Sequence, residues 1–299
     1  MKPLRVALIH RWRARSSSER VSGLWEFDTP EFMITHLPTA KGRMHNRSEL
    51  AKKFDLAVYE APELMLFLPG DKNFPVCYWE IDSDNSEGYY RHRLNEAKKC
   101  DIILMDAVPL EWFTELGKPV FRFNSCPSGK ILKDYHFTKD IDVSFFVQTK
   151  DPARATLDVE LAKFCKERGY SYESGERNYY NYGQSLNRSK ISINWSGRAP
   201  YRPWRFFESM ACRACLVTNP LIEVSEEIHR PRIDYVECQK MDELWEVIPE
   251  LLTSGKWKGY ADAGYEYIQE NHTWPIRSRQ LRAKLAMMAD KWPQFRMEL

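Results

Sequence analysis

Apolar residues fall along this chain in two alternating rhythms. Short apolar runs at residues 4–9, 55–59, 75–79, 101–105 and 119–123 suit buried parallel strands. Residues 61–66, 88–99 and 109–116 carry the three-to-four spacing of helices between them. Residues 124–139 lose both rhythms, contain Pro127, Ser128 and Gly129, and read as a linker. A second series follows, with strands at 141–147, 170–172, 190–194, 215–218 and 233–236. Its helices are predicted at 152–168, with Gly169 as stop, at 179–188, from Pro203 onward, and at 241–253 and 256–270. A last helix spans 274–289, with Thr273 placed to cap it. The pattern predicts an α/β protein of two Rossmann-like domains facing a cleft, with a C-terminal crossover helix. The boundaries are 1–138 for the first domain, 139–272 for the second, and 273–299 for the C-terminal helix.

Composition narrows the class. With 299 residues, 43% of them hydrophobic, the chain can bury a sizeable core without cross-links. Seven scattered cysteines read as reduced thiols in a cytoplasmic protein. Cys212 and Cys215 form a CxxC with no second pair at metal spacing, which reads as packing, so no metal site is expected. No secretory leader is read at the start, and no apolar run approaches the ~20 residues that span a membrane. A net charge of +2 leaves nucleic acid open, so local clustering has to decide.

Three places gather chemistry. Residues 201–220 read as a basic, aromatic approach, a short helix and a strand. Arg198, Arg202 and Arg205 cluster where free N–H groups and the helix dipole favour an anion, and Trp204 opens an apolar stripe with Phe207, Met210 and Ala211. The plain alternative is an ordinary helix with an Arg205–Glu208 surface pair. The loop after residue 9 holds His10, Arg11, Arg13, Arg15 and Ser16, and suits phosphate groups, or is simply a solvated basic loop. No GxGxxG follows that strand. Glu60 and Asp82 each follow a predicted strand, where a carboxylate serves as general base or merely caps a turn. Asp82 with Asp84 also has DxD spacing, a weak metal signal.

Read together, residues 139–145, the strand at 189–194, Arg205-Phe206-Phe207-Glu208-Ser209-Met210-Ala211-Cys212, and Asn271-His272-Thr273-Trp274 with Arg277 and Leu281 resemble the C-terminal domain of GT-B glycosyltransferases. The likeness is greatest to the spore-maturation CgeB-like family, and covers roughly residues 140–285. The resemblance implies that Glu208 binds the ribose hydroxyls of a nucleotide sugar, that Arg205 meets its diphosphate, and that Asn194 ends a strand facing the donor. Trp204, Arg202 and Arg198 join the donor-binding set. It implies metal-independent transfer, with the nucleoside diphosphate sugar (UDP-sugar among them) as co-substrate and no other cofactor. Two positions depart from the family: Arg213 replaces the usual glycine after the "AC", and Leu216 a second glutamate.

The expected activity is sugar transfer from that donor to an acceptor hydroxyl, with Asp82 as base and His10 and Glu60 as alternatives. The expected acceptor is a hydroxymethylated DNA base, met by Arg11, Arg13, Arg15 and Ser16, with a glycan, a lipid-linked sugar or a small metabolite equally open. A sugar-nucleotide epimerase and a non-catalytic nucleotide- or DNA-binding module of the same fold remain as alternatives.

Overall fold

The computed structural model describes residues 2–11, 29–39, 45–59, 67–68, 71, 73–80, 93–95, 97–106, 110–124, 126–146, 152–196, 204–221 and 234–297. The chain forms two compact units: Met1–Ser125 with Trp274–Leu299, and Cys126–Thr273.

The first unit contains β1 (Leu4–Arg11), β2 (Phe32–Thr39), β3 (His45–Asn46), α1 (Arg47–Ala51), β4 (Leu56–Tyr59), β5 (Phe67–Leu68), β6 (Val76–Glu80), β7 (Ile102–Met105) and β8 (Val120–Arg122). Six strands make one parallel sheet in the order β2-β1-β4-β6-β7-β8, and β3 pairs with β5. Its central strands are buried on both faces, which is why they read as unbroken apolar runs rather than alternations.

The sequence pattern misses β2. Its residues, FMITHLPT, mix polar side chains with Pro38, but an edge strand tolerates a proline that a central one would not. The helix predicted over 109–116 is a tighter 3₁₀ helix, Leu110–Leu116. The one predicted over 61–66 lies outside the described residues.

The second unit contains β9 (Ile141–Phe145), α2 (Pro152–Arg168), β10 (Tyr172–Ser174), α3 (Tyr179–Arg188), β11 (Ser189–Asn194), α4 (Trp204–Ala211), β12 (Cys215–Thr218), β13 (Val236–Glu237), α5 (Leu244–Ser254) and α6 (Trp257–Asn271). Its five parallel strands run β10-β9-β11-β12-β13. Strand β10 starts later than the predicted 170–172 because α2 is still closing there. Gly169 is left-handed at φ 72°, and the Tyr170 N–H donates to the Cys165 carbonyl at 2.9 Å. The predicted helix over 241–253 opens as a 3₁₀ turn at Met241–Glu243. The stretch read as a linker is packed: Leu132 is buried in one cluster with Tyr179, Tyr182 and Cys212.

Helix α7 (Trp274–Ala286) belongs to the first unit. Trp274 packs edge-on to Trp79 with centroids 6.2 Å apart, and Lys284 Nζ donates to the Arg122 carbonyl at 3.0 Å. It ends three residues short of the predicted 289. Among the described residues no helix is long and apolar enough to cross a membrane.

With β3 and β5 set aside, the first sheet has the winding 2-1-3-4-5-6 and the second 2-1-3-4-5. In such sheets the chain reverses its direction of growth between the first strand and the third, and ligands bind beyond the carboxyl ends there. That switch point lies between β1 and β4 in the first unit and between β9 and β11 in the second.

Candidate functional site

Strand β11 divides its side chains between two faces, as any strand must. Ile191 and Ile193 enter the apolar cluster shared with α2 and α5. Ser192 and Asn194 point to the other face, where α4 lies: the hydroxyls of Ser192 and Ser209 are 2.9 Å apart and buried. Since α4 returns antiparallel to the strand, its first turn sits at the strand's carboxyl end. Trp204 and Arg205 form that turn and are both half-buried.

Asn194 closes β11 at the switch point and is fully buried. Its carbonyl accepts from the Thr218 hydroxyl at 2.8 Å. Its carboxamide oxygen and nitrogen have no partner among the described residues. Just beyond it, Asn219 Oδ1 accepts from the Ser196 N–H at 2.7 Å and ties the ends of β11 and β12 together. The surroundings are therefore fixed while the amide is left unsatisfied by the described residues. A buried amide in that state costs free energy that a ligand can return.

Glu208 is buried on α4, with 2% of its surface exposed. This overturns the surface-pair alternative for the helix. A buried carboxylate needs donors, and α3 supplies two. Tyr182 donates its hydroxyl to Oε2 at 2.9 Å and Tyr179 to Oε1 at 3.4 Å. The tyrosines stand three apart on α3, so both reach the same side. Tyr182 in turn meets Phe146, which follows β9, edge-on at 5.5 Å. Sequence reasoning missed Tyr179, Tyr182, Phe146 and Asn219. A tyrosine stripe in an otherwise polar helix was the one signal available for the first two.

The far end of α4 is equally particular. Arg213 adopts φ 51°, the left-handed conformation that favours glycine. Its N–H donates to the Met210 carbonyl at 2.9 Å, and Ala214 N–H to the Ser209 carbonyl at 3.0 Å, a Schellman ending. The side chain compensates: its Nε lies 2.9 Å from Asp134, it donates to Asp262 at 2.9 Å, and it lies over the Tyr265 ring. Lys139 Nζ donates to the Cys212 carbonyl at 3.1 Å, and burial pulls its pKa down to about 8. Helix α6 packs close to α4, since a Cβ on Gly264 would lie 2.7 Å from the Asp234 carbonyl and 3.0 Å from Met210. Leu216 is buried with Phe206 and Phe207. Cys212 and Cys215 pack into separate clusters, and burial pushes both thiols up.

The other expected site residues divide in two. His10 and Arg11 end β1, at the first unit's switch point. Glu60, Asp82, Arg13, Arg15, Ser16, Arg198 and Arg202 lie outside the described residues. Among the described residues no group of three His, Cys, Asp or Glu side chains is gathered in one place.

This is the fold of the GT-B glycosyltransferases, two Rossmann-like units each wound about a parallel sheet. Residues 150–283, which include Asn194 and Glu208, match the profile of a family described as glycosyl transferase-like. No curated protein sequence matches the chain. Among solved structures, Anabaena HepE in complex with UDP and glucose aligns over 95% of this chain and 100% of its own, at 10% identity and TM-score 0.64. An alpha-glucosyltransferase in complex with UDP-glucose and DNA containing an abasic site aligns over 93% and 98%, at 12% identity and TM-score 0.59. TarM aligns over 77% of this chain, at 10% identity and TM-score 0.54, and this chain spans only 54% of its length.

Proposed function

We propose that the chain transfers a sugar from a nucleoside diphosphate sugar to an acceptor hydroxyl. The observation that carries the proposal is the buried carboxamide of Asn194, without a partner among the described residues, at the switch point of the second sheet. Glu208 stands on the helix that follows that strand. In this reading Glu208 accepts from the two ribose hydroxyls. The tyrosines that hold it are neutral, so its charge still favours further donors. Arg205, Trp204 and the first turn of α4 receive the diphosphate, with Arg198 and Arg202 before them. Negative charge grows on that leaving group as the glycosidic bond breaks, and donors aimed there stabilise the transition state without a metal ion. The matched family and the UDP-bound neighbours support the donor class.

The first unit then presents the acceptor. Asp82, with His10 and Glu60 as alternatives, takes the hydroxyl proton as oxygen attacks the anomeric carbon. Arg11, Arg13, Arg15 and Ser16 follow the first strand and suit a phosphate-bearing acceptor such as modified DNA, the ligand class in one neighbour. DNA binding of this kind falls steeply with salt. Relationship to the CgeB-like family and a cytoplasmic setting belong to the same reading.

Calorimetric titration with UDP and UDP-glucose tests it. Wild type should bind, and Glu208→Gln should weaken binding by about tenfold to a hundredfold, the worth of a hydrogen bond to a charged group. If no nucleoside diphosphate or its sugars bind, the proposal fails. Unchanged binding by Glu208→Gln removes the ribose assignment alone.

A further inference from the structure

We propose that the first unit carries a second ligand site, an oxyanion pocket for a small phosphorylated compound, at the amino-terminal edge of its sheet. A pocket of ≈ 370 Å³ is lined by Lys2, Leu4, Asp55, Arg282, Gln294 and Arg296, among others. Leu4 begins β1 and Asp55 immediately precedes β4, so the pocket lies at the end of the strands opposite the switch point. It lies at the opposite end of β1 from His10 and Arg11.

Its charge is one-sided. Asp55 is the only carboxylate among the lining residues, and Arg5 already occupies it. The Arg5 main-chain N–H and Nε donate to Oδ2 at 2.8 and 3.2 Å, and a terminal guanidinium nitrogen to Oδ1 at 2.8 Å. Lys2, Arg282 and Arg296 form no ion pair among the described residues. Arg282 is the telling member, at 3% exposure. Its terminal nitrogens donate to the carbonyls of Phe295 at 3.0 Å and Arg296 at 3.3 Å, and its buried Nε has no partner among the described residues. Two carbonyls hold the guanidinium in place but do not neutralise it, and burial lowers its pKa. Asp55 is the one lining carboxylate that acts on this guanidinium, and Arg5 already holds it, so the buried cation is only partly balanced and an added anion relieves that cost. A guanidinium fork with two flanking cations matches the oxygens of a phosphate. The volume falls in the range of small-molecule sites, about 300–1,000 Å³, so an organic group has room beside the phosphate.

The test titrates the full chain with inorganic phosphate and then ribose 5-phosphate by calorimetry, at ionic strength held constant with chloride. The comparison variant is K2Q/R296Q, which changes two exposed side chains and leaves the fold's buried contacts alone. Wild type should bind saturably, and the variant should bind about tenfold or more weakly. UDP-glucose titration should be the same for both, which separates this pocket from the proposed donor site. Equal phosphate binding by variant and wild type overturns the proposal. So does phosphate performing no better than chloride, which would leave Arg282 as a pin for the C-terminal segment alone.

Discussion

Replacing Asn194 with leucine separates the stability of the fold from its proposed use. Asn194 is fully buried, and both polar atoms of its carboxamide lack partners among the described residues. A buried polar group left unsatisfied costs about 1–3 kcal/mol. Leucine nearly matches asparagine in shape and asks for no partner, so Asn194→Leu should stabilise the protein by roughly 2 kcal/mol. For a unit the size of Cys126–Thr273, each kcal/mol moves the melting midpoint by roughly 2–4 °C, which predicts a rise of about 4–8 °C. The same change deletes the donor and acceptor offered to a ligand, and UDP-glucose affinity should fall by about tenfold or more. Differential scanning calorimetry reads the first effect and titration the second. A lower midpoint would mean that the amide is satisfied in the unliganded protein, and the premise would be wrong. A higher midpoint with unaltered affinity would detach Asn194 from the donor. Only the opposed pair, more stable and weaker binding, supports the site as built.

Two further changes probe the other end of α4. Arg213→Gly relieves a left-handed residue, worth about 1 kcal/mol, but removes a charged partner of Asp134, whose side chain is only 4% exposed and keeps only the His136 contacts among the described residues, along with the Asp262 contact. The loss should win by about 1–3 kcal/mol, so the midpoint should drop; a rise would show that the ion pairs contribute nothing. Lys139 titrates near 8 in the folded chain against an ordinary 10.5, so the unfolded chain binds more protons between those values and stability rises with pH across that window. Wild type should therefore gain on Lys139→Met in denaturant melts from pH 8 to 10.5, whereas parallel curves would refute the lowered pKa of the buried lysine.

The units differ in how much of them the sequence announces. Central strands were legible because burial on both faces leaves a run of apolar residues and little else. Edge strand β2 was not, because one free edge relaxes every rule that a central strand obeys, down to admitting Pro38. The end of α2 could be read from Gly169, whereas the Asn178 cap of α3, whose side chain accepts from Asn181 N–H at 2.8 Å, went unread. The site shows the same division between local and distant causes. Arg205 and Glu208 stood out because charge inside a short apolar helix is visible along the chain itself. The hydroxyls that hold Glu208 come from α3, and the Asp134 that anchors Arg213 comes from a stretch with no periodicity at all.

That division explains why Arg213 can stand where a glycine is usual. The backbone there demands a left-handed residue whatever the side chain, and the requirement is local. What makes arginine tolerable is not local: it is a carboxylate brought from Asp134, another from Asp262 and the face of Tyr265. These contacts also fix the carboxyl end of α4 against α6, while Ser192 fixes its middle against β11. A helix held at its middle and its end can present Arg205 and Glu208 from a fixed position, and a site that must meet a diphosphate and a ribose together needs that rigidity. Arg213 therefore exchanges backbone ease for side-chain anchorage at the same turn, and that anchorage steadies the helix whose first turn is proposed to receive the diphosphate.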